Sequence, residues 1–467
     1  MRKLLPVIII LVATLYTMTI FADPTLPAFT APIKLSNNTG DSIMPQMLVV
    51  ENDIYAVWSD TISGKSNIFF AKSANSGATF ETQVNLATAK TGESGYAALA
   101  ESESNIYVVW QSFVSNSSAI YLAKGSDGGS SFDTPVTISD TSVNAAFPQI
   151  ATSGKHVYVV WLEKSATDAT NLVFAKSDDY GSTFGKPVGI THHSGNSGIP
   201  KIASEGNNVY LMWEDNSRGD YEVFLEKSND SGSTFGKPVN VSDNAGNSGT
   251  PQIQVSNNDV YAVWMDNSQD NYEIFFAKSV DGGTTFSKPV NISNNHEDSG
   301  YPQFTVSADN IYVTWVNSIT KDNYDVLYAK SNNAGLTFSR PINISNDNGA
   351  SGWPQIAVDG HVYISWVDNT PRAFDIFIAK TAEGDSSFEP PVNISNTKEE
   401  SYFNKMDVTD NAIYMVWQEA NQGKHAIVFS KSTTFVPEFG SMVPIILTIS
   451  IISIIAMSYK SHLQIRF

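Results

Sequence analysis

The chain of 467 residues contains no cysteine. Disulfides and thiolate metal sites are therefore excluded. Basic residues are scarce: 28 Lys and Arg stand against 47 Asp and Glu, a formal charge of −19 at pH 7. That balance argues against nucleic acid as a partner, because phosphates are neutralised by clustered Lys and Arg. It suits a soluble, self-repelling surface that attracts cations. Between residues 23 and 435 the arginines are Arg218, Arg340 and Arg372 alone. The same stretch lacks any segment of helical periodicity. The histidines have no metal-ligand spacing, and no Ser/His/Asp constellation stands out. His192-His193 sits in an Asn/Ser/Gly segment and reads as a solvated loop.

What is present is repetition. Trp58, Trp110, Trp161, Trp213, Trp264, Trp315, Trp366 and Trp417 are spaced 51 or 52 residues apart. A period of that size says that one unit was copied eight times. Within the unit, short β-branched and aromatic runs are bounded by Asn, Ser, Asp and Gly. In the copy around Trp315 the strands are expected at residues 302–306, 310–315, 324–330 and 341–345. The second is apolar on both alternating faces, so its sheet must be covered on both sides. A β-propeller supplies that cover, since each blade packs on two neighbours. The expectation is an all-β fold: a single eight-bladed propeller of four-stranded antiparallel blades over residues 32–435. Pro32-Ile33-Lys34-Leu35-Ser36 reads as a fourth strand with no unit before it, and the last unit lacks its fourth. The N-terminal strand is thus expected to close the last blade and remove the open edges.

Both ends carry membrane signals. Arg2 and Lys3 precede an apolar run over residues 4–21, which reads as a signal peptide ending at Ala22, with 23–31 as linker. An uncleaved anchor is the alternative. Residues 443–457 form a second apolar run, short for the ~30 Å hydrocarbon core. Lys460, His462 and Arg466 follow it, which places that end in the cytoplasm and the body outside. The junction Val436-Pro437-Glu438-Phe439-Gly440 resembles the PEFG-type C-terminal sorting signals of ammonia-oxidising archaea. That resemblance implies that residues 436–467 are a motif, a transmembrane helix and a basic tail removed by a membrane-embedded sorting transpeptidase. A plain C-terminal anchor is the alternative. Either way the body is exported and displayed at the cell surface.

The turn between the third and fourth strands reads Ser177-Asp178-Asp179-Tyr180-Gly181-Ser182-Thr183-Phe184. It recurs as Ser228-Asn229-Asp230-Ser231-Gly232-Ser233-Thr234-Phe235 and Ser279-Val280-Asp281-Gly282-Gly283-Thr284-Thr285-Phe286, with departures at Asn75, Asn333, Glu383 and Asp385. The Asp side chain can bond its own turn, and Gly accepts a left-handed conformation. The closing aromatic is expected to tuck back into the sheet. These turns resemble the Asp-box (BNR repeat) of sialidase-like β-propellers, in which the box is structural and lies opposite the substrate pocket.

Functional candidates follow from the repeat register. Just before the first strand stand Met44, Tyr96, Phe147, Ile199, Thr250, Tyr301, Trp353 and Phe403. The aromatic members Tyr301, Trp353 and Phe403 are platforms for sugar rings at a concave mouth. Wedging between blades is the alternative. Two residues after each Trp stand Asp60, Ser112, Glu163, Asp215, Asp266, Asn317, Asp368 and Glu419. With Glu222, Glu273, Asp325 and Asp375 they offer hard oxygen ligands for Ca²⁺ or for sugar hydroxyls, or cap the hairpin turn instead. No cofactor other than such a Ca²⁺ is indicated. Around the axis come Gln46, Ala98, Gln149, Lys201, Gln252, Gln303, Gln355 and Lys405, a polar ring in which the two lysines could hold an anion or stay solvated.

Sialidases need three arginines on the substrate carboxylate, a Tyr–Glu nucleophile pair and an Asp acid/base. Arg340 adjoins the turn on the wrong face, which leaves Arg218 and Arg372 on the functional rim. A triad is not assembled, so the resemblance is of fold and not of active site. Two carboxyls of a glycosidase cannot be chosen among so many. Seven Asn-x-Ser/Thr sequons, at Asn37, Asn116, Asn229, Asn240, Asn291, Asn343 and Asn393, are mostly products of the repeat. The leading expectation is a cell-surface binding module for glycans or cell-envelope components, with Tyr301, Trp353, Phe403, Asp215, Asp266, Asp368, Arg218 and Arg372 as ligand-binding candidates. A sialidase-like glycoside hydrolase and a purely structural envelope protein are the alternatives.

Overall fold

Eight four-stranded antiparallel sheets follow one another along the chain and close into a ring, with no helix among the described residues. The computed structural model describes residues 28–432 apart from loop segments at 38–39, 88–91, 115–116, 166–167, 321–322, 371–372, 383–386 and 410–411. The expected signal peptide and sorting tail lie outside the described residues, as do Arg372, Glu383 and Asp385.

Blade 6 shows the unit: Ser299–Ser307, Asn310–Thr320, Asn323–Ser331 and Ile342–Asn343. Its second strand places Ile311, Val313 and Trp315 out of reach of water. Eight apolar clusters each draw on two consecutive blades. One joins Trp58 and Phe69 of blade 1 (Ser42–Asn85) to Tyr414 and Phe429 of blade 8 (Ser401–Lys431). Each tryptophan is a core wedge, and truncating one such side chain costs on the order of 3–5 kcal/mol. Blade 8 is completed by Ile33–Lys34, which pair with Phe429 and Val428. That pairing starts earlier still, at a bridge between Phe29 and Ser432.

The first and second strands of every blade slip register by one residue at the same place. The slip falls between Gly300 and Gln303 in blade 6, and it leaves Tyr301 and Pro302 unpaired. This is a β-bulge, a device that re-aims a side chain. The bulge residues are Met44, Tyr96, Phe147, Ile199, Thr250, Tyr301, Trp353 and Phe403, all left-handed at φ 42–55°.

The turns lie at the opposite end of the strands, bonded to the first hairpin: the Ser231 N–H donates to the Asn207 carbonyl. Within one turn Ser177 Oγ donates to Asp179 Oδ1 at 2.7 Å and accepts from the Gly181 N–H. The Thr183 N–H and hydroxyl donate to the same carboxylate. These bonds hold the Asp179 carboxyl down at about 2, the Thr183 N–H contributing most. The closing aromatic, expected to tuck back into the sheet, packs on the preceding blade, while Phe132 and Phe388 also pair within their own sheets. Phe235 of blade 4 (Ser197–Asn240) meets Phe174 of blade 3 (Asn144–Gly189) edge-on at 4.9 Å, and Phe80 meets Phe429 of blade 8 likewise. Lys176 reaches from blade 3 to the Ser231 carbonyl and Ser233 Oγ. Each such turn therefore staples its blade to the preceding one. The correction has a physical reason: a four-stranded blade is one layer thick, and the apolar space at its edge belongs to the neighbour.

Candidate functional site: an aromatic collar at the channel mouth

The bulges turn their side chains toward one mouth of the axial channel. Met44, Tyr96, Phe147, Trp353 and Phe403 line a cavity of about 280 Å³ there, with Lys405 deeper in its wall. Ring closure brings together residues from blades 7, 8, 1, 2 (Glu93–Thr137) and 3. Trp353 and Phe403 lie 5.7 Å apart between ring centroids, and Tyr96 meets Phe147 edge-on at 5.1 Å. Trp353 and Phe403 are 48% and 36% exposed, so they face solvent and are not wedged between blades. Tyr301 is 64% exposed and stands apart from this cavity, which it was expected to share. The expectation omitted Tyr96 and Phe147 from the site although they occupy the same register.

The collar backbone is pinned by neighbouring blades. The Met44 N–H donates to Gln418 Oε1 of blade 8, and the Thr250 N–H to Glu214 Oε2 at 3.1 Å. Burial raises the Glu214 carboxyl above the usual range. Proline follows the bulge residue in six blades; in blade 8 Asn404 stands there. Asn404 Nδ2 donates to the Trp353 carbonyl, and its Oδ1 accepts from Ser365 Oγ at 2.6 Å. This link ties the two largest platforms to one another.

The carboxylates behind the rim are placed differently. Asp215, Asp266 and Asp368 are 2%, 0% and 1% exposed. Each accepts a serine hydroxyl from its first strand (Ser197, Ser248 and Ser351) and the indole N–H two residues before it. Each also caps the following loop, as Asp368 does by accepting the Thr370 N–H at 2.7 Å. They brace the blade from inside, and a ligand at the rim meets the loops that cover them. Where Ser112 and Asn317 replace the acid, the indole N–H of Trp110 and Trp315 has no acceptor among the described residues. Glu222, Glu273, Asp325 and Asp375 are likewise buried, bonded to Ser242, Ser293, Ser345 and Ser395 of the fourth-strand Asn-x-Ser. Those serines also accept third-strand N–H groups such as Val223 and Ile376. The Ser of that motif is thereby explained by packing. Among the described residues no three His, Asp or Glu side chains are grouped to hold a metal ion.

A fourth-to-first loop residue completes each brace. Asn244 donates to Asp266 and Asn295 to Asn317. His193, expected to be solvated, pairs with Asp215 at 2.8 Å. Blade 7 (Ser351–Asn393) has Asp347 in this place, beside Asp368. Burial and the neighbouring carboxylate push Asp347 up to about 6, while accepted bonds, led by the one from Asp347, keep Asp368 low. One proton shared by the pair replaces the amide of the other blades.

Arg218 is exposed and stacks over the Phe224 ring at 5.2 Å, away from the collar, and Arg340 is exposed beside its turn. Next to Trp353, Tyr402 packs on Phe374 and bonds Glu400. Burial first, then Glu400, pushes its phenol well above the ordinary range, which disfavours a phenolate nucleophile.

No family model matches the chain, and no curated protein matches it. Solved structures do resemble it. A PL25 ulvan lyase bound to -[GlcA(1-4)Rha3S]- superposes with a TM-score of 0.51 at 10% identity, covering 71% of this chain and 90% of that one. The likeness is one of fold. A Trypanosoma rangeli sialidase (TM-score 0.42, 11% identity, 87% of this chain and 59% of that one) is among the neighbours. So is a puromycin-hydrolysing peptidase of Mycobacterium tuberculosis (0.47, 12%, 86% and 63%). Function must therefore be argued from the mouth and not from the fold.

Proposed function

We propose that this chain is a glycan-binding propeller of the cell envelope, exported by its N-terminal segment and displayed through its C-terminal one, with turns of the Asp-box type holding its blades. The observation that carries the binding role is the collar: Tyr96, Phe147, Trp353 and Phe403 present ring faces and edges around one concave mouth. Eight bulky residues held left-handed at one position are a sustained local strain, and such strain points to a role for the side chains it aims. Flat apolar faces bordered by polar groups suit the C–H faces of sugar rings. Binding without turnover fits the site better than hydrolysis. The rim carboxylates face inward, the described arginines do not converge, and the Tyr402 phenol holds its proton tightly.

The test is a glycan array with the full chain, beside a panel of fluorogenic glycosides. Saturable binding without turnover is expected. Trp353→Ala should weaken it about tenfold, the equivalent of ~1.4 kcal/mol of lost stacking. Hydrolysis abolished by a single rim carboxylate change would overturn the binding reading. Absence of any glycan binding would leave a purely structural envelope role.

A further inference from the structure

We propose that the axial channel below the collar holds a compact oxyanion between Lys405 and Lys201, so that the sugar seated on the collar is an acidic one bearing a carboxylate or sulfate. This rests on the glycan-binding reading and specifies its substrate class.

Two residues beyond each bulge, the first strands present one side chain at a common level around the axis. Five of these are glutamine and one is Ala98; Lys201 in blade 4 and Lys405 in blade 8 stand half a turn of the ring apart. Lys405 lies in the cavity wall itself, next to Trp353 and Phe403 in the lining. Several partly buried third-strand lysines have carboxylate partners: Lys72 with Asp53 at 3.3 Å, Lys278 with Asp259 at 2.7 Å, Lys380 with Glu389 at 3.6 Å. Among the described residues Lys201 and Lys405 are in no such ion pair. In a chain with 47 acidic residues, the ring at this level carries two lysines and no carboxylate.

The neighbouring elements do not supply an internal counter-ion. Adjoining first strands offer Gln46, Gln149, Gln252 and Gln355 at this level, and the Gln149 and Gln355 amides donate to the Pro148 and Pro354 carbonyls. Asp407, on the strand of Lys405, is bonded to the Val408 and Val49 N–H groups, and Glu214 of blade 4 to that of Thr250. Burial raises both carboxyls. Burial likewise pushes the Lys201 ammonium down to about 8, with the Lys405 charge adding to it, and lowers Lys405 too. Two partly buried like charges are costly, and an anion between them relieves both costs at once. The net charge of −19 repels anions at long range. That field is screened over ~8–10 Å in physiological salt, whereas the channel pair acts at contact.

The test is titration of the full chain, by calorimetry at constant ionic strength, with a glucuronate-terminated disaccharide, its glucose-terminated counterpart and inorganic sulfate. Wild type is compared with Lys405→Gln, Lys201→Gln and Trp353→Ala. Glutamine is what five blades already carry, so the ring should stay folded, and thermal melting checks this. Tenfold or greater preference for the acidic disaccharide is expected, falling to near parity in Lys405→Gln. Affinity for it should decline as the pH rises from 7 to 9, as the lysines lose their protons. Equal binding of both sugars, or an unchanged preference in Lys405→Gln, overturns this inference while the glycan reading stands. Lys405-dependent sulfate binding with neither sugar bound supports the anion site and overturns the glycan reading. No binding of any of the three overturns both.

Discussion

The two ends of the ring each carry a repeated backbone turn, and they differ in how the turn is held. At one end the Ser-x-Asp-x-Gly turn is held by its own side chains, as with Ser228, Asp230 and Thr234. Asn takes the place of Asp at Asn75 and Asn333, where the same acceptor oxygen survives. At the other end the bulge is held by register and by groups from adjacent blades. The side chain at its tip is free, and it ranges from Thr250 to Trp353 while φ stays the same. Structure sits where side chains hold the backbone; recognition can evolve where the backbone holds side chains.

This contrast can be broken from either end. The largest effect is expected from Gly335→Ala in a turn. There φ is +87°, and a Cβ would stand 2.1 Å from a ring atom of Phe276 in the preceding blade. Strain and overpacking together should cost about 3 kcal/mol in denaturant unfolding. The matched change at the collar, Trp353→Ala, should stay within about 0.5 kcal/mol, because half of that side chain is already in water. Comparable losses at both ends would refute the contrast.

A smaller effect is expected behind the rim. The folded Asp347 carboxyl titrates at about 6, above the ~3.9 of an unfolded chain. Its contribution is therefore fully present below pH 4 and is lost as pH rises through 6. Asp347→Asn restores the amide that Asn244 and Asn295 supply. It should raise stability at pH 7–8 by about 1 kcal/mol, a value discounted for partial exposure and for the opposite shift of Asp368. At pH 4 the gain should vanish; melting curves at the two pH values check it.

The smallest effect is expected in the turns themselves. Asp179, Asp230 and Asp281 are each lowered to about 2, so their contribution is present above pH 4 and fades as pH falls toward 2. Replacing all three by Asn should flatten the melting temperature over pH 4 to 2, as at the natural Asn75 and Asn333. An unaltered acid slope would show that these bonds do not act on stability.

The blades were legible because their determinants are local. Alternation in Ile311 to Trp315 marks a strand buried on both faces, and the Ser177–Thr183 bonds close within seven residues. Ring closure was legible from the unpaired 32–36 segment. The site was only partly so. Trp353 and Phe403 were readable as aromatic members of the register, yet the carboxylates at Asp215, Asp266 and Asp368 looked equally available. Their burial depends on first-strand serines and loop residues such as His193, whose approach no spacing reveals.

By itself the sequence determined the repeat, the strand order, the turn chemistry and the residue at each bulge tip, since these rest on periodicity and on bonds between near neighbours. The tertiary structure decided which tips meet. Closing the ring sets Trp353 and Phe403 beside Met44, Tyr96 and Phe147, leaves Tyr301 outside, and places Lys405 in the cavity wall with Lys201 on the opposite side of the ring. Those juxtapositions depend on the number of blades and on where the chain ends meet, quantities that no single repeat contains.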